Sequence, residues 1–423
     1  MSDSIFCDTI KYSDTGALHV GTFDAAADIV AAYQTPLYVY SLDNILAAHA
    51  RIRDAYAAHH SNVSIHFSLK ANANFTIVKA LVQAGCGLDC VSAGEVFKAL
   101  LCGCPADHIV FAGVGKSQEE LEYAVSRGIG WFNVENELEL SYLNDLAAQH
   151  TDTKVKIALR LNPDVQANTH PSIATGHGGA KFGLPIDVVQ RILGATEKYP
   201  HLHFEGLHVH IGSQLGDTSP TQRAVAVALD IVRPFPFVKC LNIGGGMPVS
   251  YDNTVKPDPN SFAAAVCPLL QNYHVMLEPG RSIVASSGIL VCKVLYRKDQ
   301  AGQKIIVVDA SMTDIMRPAL YSAYHAVVPL QRALPDEATE VFSVVGPVCE
   351  TTDVLAKNVT LPERCGHPGQ LLALMTTGAY GFVMANNYNA RPLVPQVVVH
   401  NGQLRLSTKR QTFEDLIRDE LDQ

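Results

Sequence analysis

Between about residue 60 and residue 285, short runs of Val, Ile, Leu and Phe alternate with helix-period segments, and this alternation constrains the fold more than any other feature. The apolar runs are NVSIHFSL (62–69), GLDCV (87–91), HIVFAG (108–113), IGWFNV (129–134), VKIALRLN (155–162), FEGLHVHI (204–211), VKCLNI (238–243) and YHVMLEP (273–279). Between them lie segments such as SQEELEYAVSRG, in which Gly128 is placed to stop a helix. Continuous apolar strands separated by helices predict a parallel sheet covered on both faces. Eight such units are the number that closes a (β/α)8, TIM-like barrel, although an open doubly wound sheet shares the pattern.

After Arg281 the texture changes. SIVASSGILVCKVLY, QKIIVVDA, EVFSVVGPVC, QLLALMTTG and QVVVHNGQLRLST are β-rich runs divided by Gly, Pro and Asp turns, and the last helical segment is FEDLIRDEL. This predicts a C-terminal antiparallel β domain. The segment 1–35 carries a short strand of its own, GALHVGTF, so the expected division is a barrel over 36–284 and a β domain made of 1–35 with 285–423. A hydrophobic content of 48% in 423 residues supplies a large core and excludes a disordered chain. The net charge of −9 argues against nucleic acid or an anionic membrane as partner. No apolar run approaches the length of a membrane span, and MSDSIFCDTI lacks the basic and apolar regions of a secretory signal. Ten irregularly spaced cysteines read as reduced thiols of a cytoplasmic protein. Neither Cys86-x3-Cys90 nor Cys102-Gly-Cys104 has the paired spacing of a structural zinc site, and no metal is expected.

Polar motifs fall at the ends of the predicted strands. Lys70 follows the first, Asp89 lies in the second, His210 ends the sixth, Gly244-Gly245-Gly246 follow the seventh, and Glu278-Pro279-Gly280-Arg281 follow the eighth. In a parallel barrel all these ends open on one face, the face on which active sites are built. A strand-end lysine that is desolvated can condense with a carbonyl, which is the chemistry of an aldolase or a pyridoxal phosphate enzyme. Three glycines after a strand let backbone N–H groups approach a phosphate, which favours the second. They do not form a dinucleotide fingerprint, because the G-x-G-x-x-G spacing is absent. Glu278 could keep a pyridine nitrogen protonated, and His210 could stack on the ring. His208-x-His210 also resembles the metal pair of barrel amidohydrolases. Those enzymes carry it on the first strand, and no further ligand set follows here.

FSLKAN around Lys70, GLHVHIGSQ, LNIGGG, EPGR, TDIMRPALY, GPVCETTD and GAYGFVMANNYNARP occur in the order found in fold-type III pyridoxal phosphate decarboxylases. The last three most resemble the diaminopimelate decarboxylases, and the resemblance spans roughly residues 35 to 395. It implies an alanine racemase-like barrel plus β domain, working as a homodimer with shared active sites on a small amino-acid substrate. The implied reaction is pyridoxal 5'-phosphate-dependent decarboxylation of meso-2,6-diaminopimelate to L-lysine and CO2, the last step of lysine biosynthesis. Carried across residue by residue, Lys70 is the lysine that binds the cofactor covalently. His210 stacks against the ring, and Asp89 and Ser213 lie near it. Gly244, Gly245, Gly246, Glu278, Gly280 and Arg281 hold the phosphate and ring, with Tyr380 reaching the phosphate. Arg281, Arg317, Tyr321, Glu350 and Tyr380 bind substrate. Cys349 is the general acid, contributed with Glu350 by the partner subunit.

The substrate set makes chemical sense. Diaminopimelate carries an amino acid group at each end, so its distal end needs cations for a carboxylate and an anion for an ammonium. Arg281 and Arg317 offer planar forks, Tyr321 a hydroxyl and Glu350 a carboxylate. A cysteine thiol can return a proton to carbon, the role the resemblance implies for Cys349. Two departures stand out: HFSLK where the family more often has Tyr-Ala, and Thr-Thr after Cys-Glu. The alternative is a decarboxylase of the same fold acting on ornithine, lysine, arginine or carboxynorspermidine, from which Arg317 and Tyr321 distinguish this chain. The GPVCE segment argues against a racemase. Retention of Lys70 and Cys349 argues against a non-enzymatic cofactor carrier or regulator.

Overall fold

The computed structural model describes residues 7–150, 154–165, 176, 181–252, 254 and 256–421. The chain divides into two compact units, one of residues 48–248 with 256–282, the other of 1–47, 249–255 and 283–423.

The first unit is the closed parallel barrel. Its strands are β5 (Val63–Ser68), β6 (Gly87–Cys90), β7 (Ile109–Phe111), β8 (Trp131–Val134), β9 (Val155–Leu161), β10 (Leu202–Val209), β11 (Cys240–Asn242) and β12 (His274–Leu277), and β12 pairs with β5 to close the ring. All eight coincide with the apolar runs read from the sequence. Closure, rather than an open sheet, follows from the register Val275 to Val63 between the last strand and the first. Val110, Trp131, Ala158, Cys240 and Met276 fill part of the barrel interior. Helices return the chain between strands, with chemistry that sets their ends. In the helix Gln118–Ser126, Ser117 and Glu120 form a reciprocal capping box, and Gly128 takes a left-handed φ of 68° just past the C-terminus, as its sequence predicts.

The second unit contains β1 (Ile10–Tyr12), β2 (Leu18–Val20) and β3 (Phe23–Asp24), which form a small antiparallel sheet. A nine-stranded sheet holds β4 (Leu37–Ser41), β13 (Gly288–Gln300), β14 (Gln303–Val308), β15 (Val327–Pro329), β16 (Thr339–Val345), β17 (Val354–Pro362), β18 (Leu371–Leu374), β19 (Gln396–His400) and β20 (Gln403–Thr408). It is mostly antiparallel, but β14 pairs with β16 and β4 with β19 in parallel. β4 explains one exception. It enters from the N-terminal side of the barrel sequence and pairs with β13 and β19, so local turn signals do not dictate its direction. Ile10, Leu18, Val20, Leu37, Val39, Ile289, Val291 and Val397 bury a common core that joins the two sheets of this unit.

Among the described residues no helix is long and apolar enough to cross a membrane. All ten cysteines are free thiols, and Cys86, Cys90, Cys102 and Cys104 are buried. Burial pushes the Cys86 and Cys104 thiols up to about 12, so they behave as small apolar side chains.

Candidate active site

The C-terminal ends of the barrel strands gather the polar residues. Lys70 sits on a single turn, Leu69–Ala71, directly after β5. The next helix, Phe75–Gln83, begins at Asn74, whose side chain accepts from the N–H groups of Thr76 and Ile77. Lys70 is therefore held between a strand end and a capped helix. Its Nζ lies 3.2 Å from Asp89 Oδ2 on β6. Ser68 Oγ donates to the same oxygen at 2.8 Å. Burial raises the Asp89 carboxyl above its ordinary range, against the opposing pull of Lys70 and Ser68. Its other oxygen, Oδ1, is buried with no hydrogen-bond partner among the described residues, an acceptor left for a bound group.

Glu278, just past β12, is the most elaborately held carboxylate. Oε1 accepts from Asn133 Nδ2 at 2.9 Å and from Asn242 Nδ2 at 2.6 Å. Oε2 lies 3.2 Å from His208 Nε2, close enough for charge attraction although the angle is not that of a formed hydrogen bond. Burial pushes its pKa up, but the nearby His208, Lys70 and Asn242 outweigh it and hold Glu278 well below the usual carboxylate range. It is a buried permanent anion.

The glycine triplet is tied to that anion. Gly244 N–H donates to Asn242 Oδ1 and Gly244 O accepts from Glu278 N–H. A Cβ on Gly245 would stand 2.5 Å from the Glu278 carbonyl oxygen, so the close approach of loop and strand end requires glycine there. Gly245 N–H donates to His210 Nδ1 at 3.3 Å. Burial, with Arg160 and Lys70 nearby, pushes His210 down to about 3. It is thus a neutral ring with its proton on Nε2, suited to stacking. Arg281 Nε donates to Ser213 Oγ at 3.2 Å.

Lys70, Asp89, His210, Ser213, Gly244, Gly245, Gly246, Glu278, Gly280 and Arg281 all belong to the barrel unit. Arg317, Tyr321, Cys349, Glu350 and Tyr380 belong to the other. Arg317 and Tyr321 open and close the short helix Arg317–Tyr321, with Arg317 buried. Cys349 and Glu350 lie exposed in the turn after β16, where Cys349 N–H donates to Asn389 Oδ1. Tyr380 has a left-handed φ of 56°, uncommon for a side chain of its size.

Sequence reasoning passed over Ser68, Asn133, Asn242 and Arg160. Each is a polar residue within or ending an apolar barrel strand, which is a readable signal. His208 was weighed only as a metal ligand, and it instead faces Glu278. Arg160 forms a buried ion pair with Glu135 and lies over the Phe182 ring at 4.6 Å.

A buried permanent carboxylate, an amine paired to a second carboxylate, an orphaned acceptor and a glycine loop without room for a Cβ suit pyridoxal phosphate. The family model described as pyridoxal-dependent decarboxylase, pyridoxal binding domain, matches residues 42–285. That defines the class, a pyridoxal-dependent decarboxylase barrel. Among relatives, the diaminopimelate decarboxylase of Aquifex aeolicus (strain VF5) is 39% identical over 93% of this chain and 94% of its own length. That of Vibrio cholerae serotype O1 is 37% identical over 97% of this chain and 98% of its own. The solved diaminopimelate decarboxylase of M. jannaschii in complex with L-lysine superposes with a TM-score of 0.90 at 32% identity, covering 98% of each chain. The Helicobacter pylori structure complexed with L-lysine gives 0.87 at 36%, covering 93% of this chain and 99% of that one. The chain belongs to the diaminopimelate decarboxylases, a family of pyridoxal-dependent carboxy-lyases.

Proposed function

We propose that this chain converts meso-2,6-diaminopimelate to L-lysine and CO2, as a cytoplasmic homodimer with shared active sites. The observation that carries the reading is the Glu278 carboxylate, held ionised in a buried polar cage and linked to the Lys70–Asp89 pair through Ser68, whose Oγ reaches both Asp89 Oδ2 and the Glu278 carbonyl oxygen. Relatives of 36–39% identity carry the name of this activity, and two similar solved structures hold L-lysine, the product.

Lys70 would hold the cofactor covalently, and Asp89, 3.2 Å from its Nζ, would receive the ammonium of the free side chain. Glu278 would pair with the ring nitrogen, His210 would stack on the ring as a neutral imidazole, and the Gly244–Gly246 loop with Arg281, Ser213 and Tyr380 would hold the phosphate side. When bound, pyridoxal phosphate supplies an electron sink for the charge left on carbon as CO2 departs. Arg317 and Arg281 orient the substrate by its distal carboxylate, with Tyr321 and Tyr380 adding hydroxyls. Glu350 takes the distal ammonium. Cys349, from the partner subunit, donates the proton that replaces CO2, and its exposed position suits a group that acts across an interface.

The test is product formation by pyridoxal phosphate-loaded protein given meso-diaminopimelate, L-ornithine, L-lysine or L-arginine separately. Lysine and CO2 from diaminopimelate alone is the expected result. Preferential turnover of ornithine or lysine would overturn the roles of Arg317, Tyr321 and Glu350 while keeping the chemistry.

Shared sites have their own measurement. Lys70→Ala and Cys349→Ala chains are each inactive, but mixing them under exchange restores about a quarter of wild-type turnover. Half the dimers are then mixed, and each mixed dimer has one complete site under two-fold symmetry. Activity that stays at the level of the separate variants excludes sharing.

A further inference from the structure

We propose that His325 is a positioning residue for substrate specificity, a fixed hydrogen-bond acceptor that sets the pose of the Arg317 guanidinium. The inference rests on the reading of Arg317 as the receptor for the substrate's distal carboxylate. Arg317, His325, Tyr251 and Met375 all belong to the β-rich unit.

His325 is 1% exposed and its two ring nitrogens have unlike neighbours. Nδ1 lies 2.9 Å from the Met375 carbonyl oxygen, and Nε2 lies 2.8 Å from Arg317 Nη1. A carbonyl can only accept, so Nδ1 must carry a proton. A guanidinium can only donate, so Nε2 must not. Both demands are met by one state of the ring, the neutral Nδ1–H tautomer. The protonated ring would set an N–H against a guanidinium N–H, and the other tautomer would fail at both ends.

The carbonyl that selects the tautomer is itself held. Met375 is followed by Thr376, a buried β-branched residue at a left-handed φ of 57°. Such a residue stays in that region only where its surroundings impose it. Met375 N–H donates to Ala326 O, beside His325 in sequence, so backbone and ring are braced together. Tyr251 closes the arrangement from a third segment. Its ring lies 4.7 Å from the Arg317 guanidinium carbon and stands edge-on to His325 at 5.3 Å.

An arginine is an effective carboxylate receptor only if its planar fork is oriented before the ligand arrives, because otherwise the ligand must order it. His325 thereby acts on binding of the distal carboxylate and not on the bond that breaks. Replacing it should move KM for diaminopimelate and leave kcat nearly alone.

The experiment compares pyridoxal phosphate-loaded wild type with Arg317→Ala, His325→Phe and His325→Gln, and records the ¹⁵N-histidine spectrum of the wild type. His325→Phe keeps the ring volume and removes the acceptor, so KM should rise about ten- to hundredfold, the worth of one hydrogen bond to a charged group, with kcat within about threefold. His325→Gln can place an amide oxygen near the lost Nε2 and should recover most of the affinity. The spectrum should show a protonated Nδ1 and an unprotonated Nε2. A raised KM in Arg317→Ala beside unchanged constants in His325→Phe overturns the positioning role. A spectrum with protonated Nε2 overturns the acceptor geometry. An unchanged KM in Arg317→Ala instead overturns the reading of Arg317 on which the inference rests. If His325→Phe does not fold, His325→Leu, which also removes the acceptor, takes its place: a raised KM supports the positioning role and an unchanged KM overturns it.

Discussion

Replacing Lys70 by Ala should lower turnover of diaminopimelate by at least about 10³-fold, because in the proposed reaction this residue holds the cofactor covalently. Borohydride should fix pyridoxal phosphate to the wild-type chain and fail to fix it to the variant, as read by the mass of the intact protein. The geometry adds a second expected effect. Asp89 is 0% exposed, and Oδ2 receives both Ser68 Oγ and Lys70 Nζ. Its carboxyl is already raised by burial, and Lys70 is the main opposing influence. Without Lys70 the buried carboxylate keeps only a neutral donor, and taking up a proton relieves the uncompensated charge. Carboxyl infrared difference spectra at neutral pH should therefore show one more protonated carboxyl in Lys70→Ala than in wild type. Turnover within tenfold of wild type, or retention of a borohydride-fixed cofactor, would remove Lys70 from its proposed role.

The second large effect is at Glu278. Glu278→Gln preserves shape and hydrogen-bonding capacity while deleting the charge. The amide oxygen can keep the two asparagine donors of Oε1, and the amide nitrogen then faces His208 Nε2. His208 can accept it by carrying its proton on Nδ1, which has no hydrogen-bond partner among the described residues. Folding should thus survive, with a melting temperature near that of wild type. A preorganised charge, however, is lost, and kcat should fall about 10²–10³-fold. Glu278→Ala should behave differently. It leaves the Asn133 and Asn242 Nδ2 groups as buried donors without their acceptor, at about 1–3 kcal/mol for each group, so the barrel itself is destabilised. Equal activity in Glu278→Gln and wild type would show that the carboxylate is structural.

The barrel was legible because its signal is repeated and local. Eight apolar strands recur along the chain, several of them end in polar residues, and parallel strands bring those ends to one face regardless of packing detail. Lys70, Asp89, His210, the glycine triplet and Glu278 could therefore be placed together from their positions alone. Ser68, Asn133 and Asn242 were not, since a lone polar residue in an apolar strand carries no indication of what it will face. Asn133 and Glu278 lie 145 residues apart in sequence yet 2.9 Å apart in space.

Alternation of apolar runs, turn residues and strand-end polar groups was enough to determine an eight-stranded parallel α/β unit, the β-rich unit and the chemical character of the strand-end residues, whereas closure into a barrel rests on the pairing of β12 with β5. Protonation states and poses were decided by tertiary structure alone. Two carboxylates in or just past strands of one barrel have the same intrinsic chemistry, yet burial raises Asp89, while His208, Lys70 and Asn242 hold Glu278 low. The parallel entry of β4 and the tautomer of His325 likewise depend on partners far away in the chain. Electrostatic free energies fall off with distance in space and with the polarity of what lies between, and neither quantity is written in residue order.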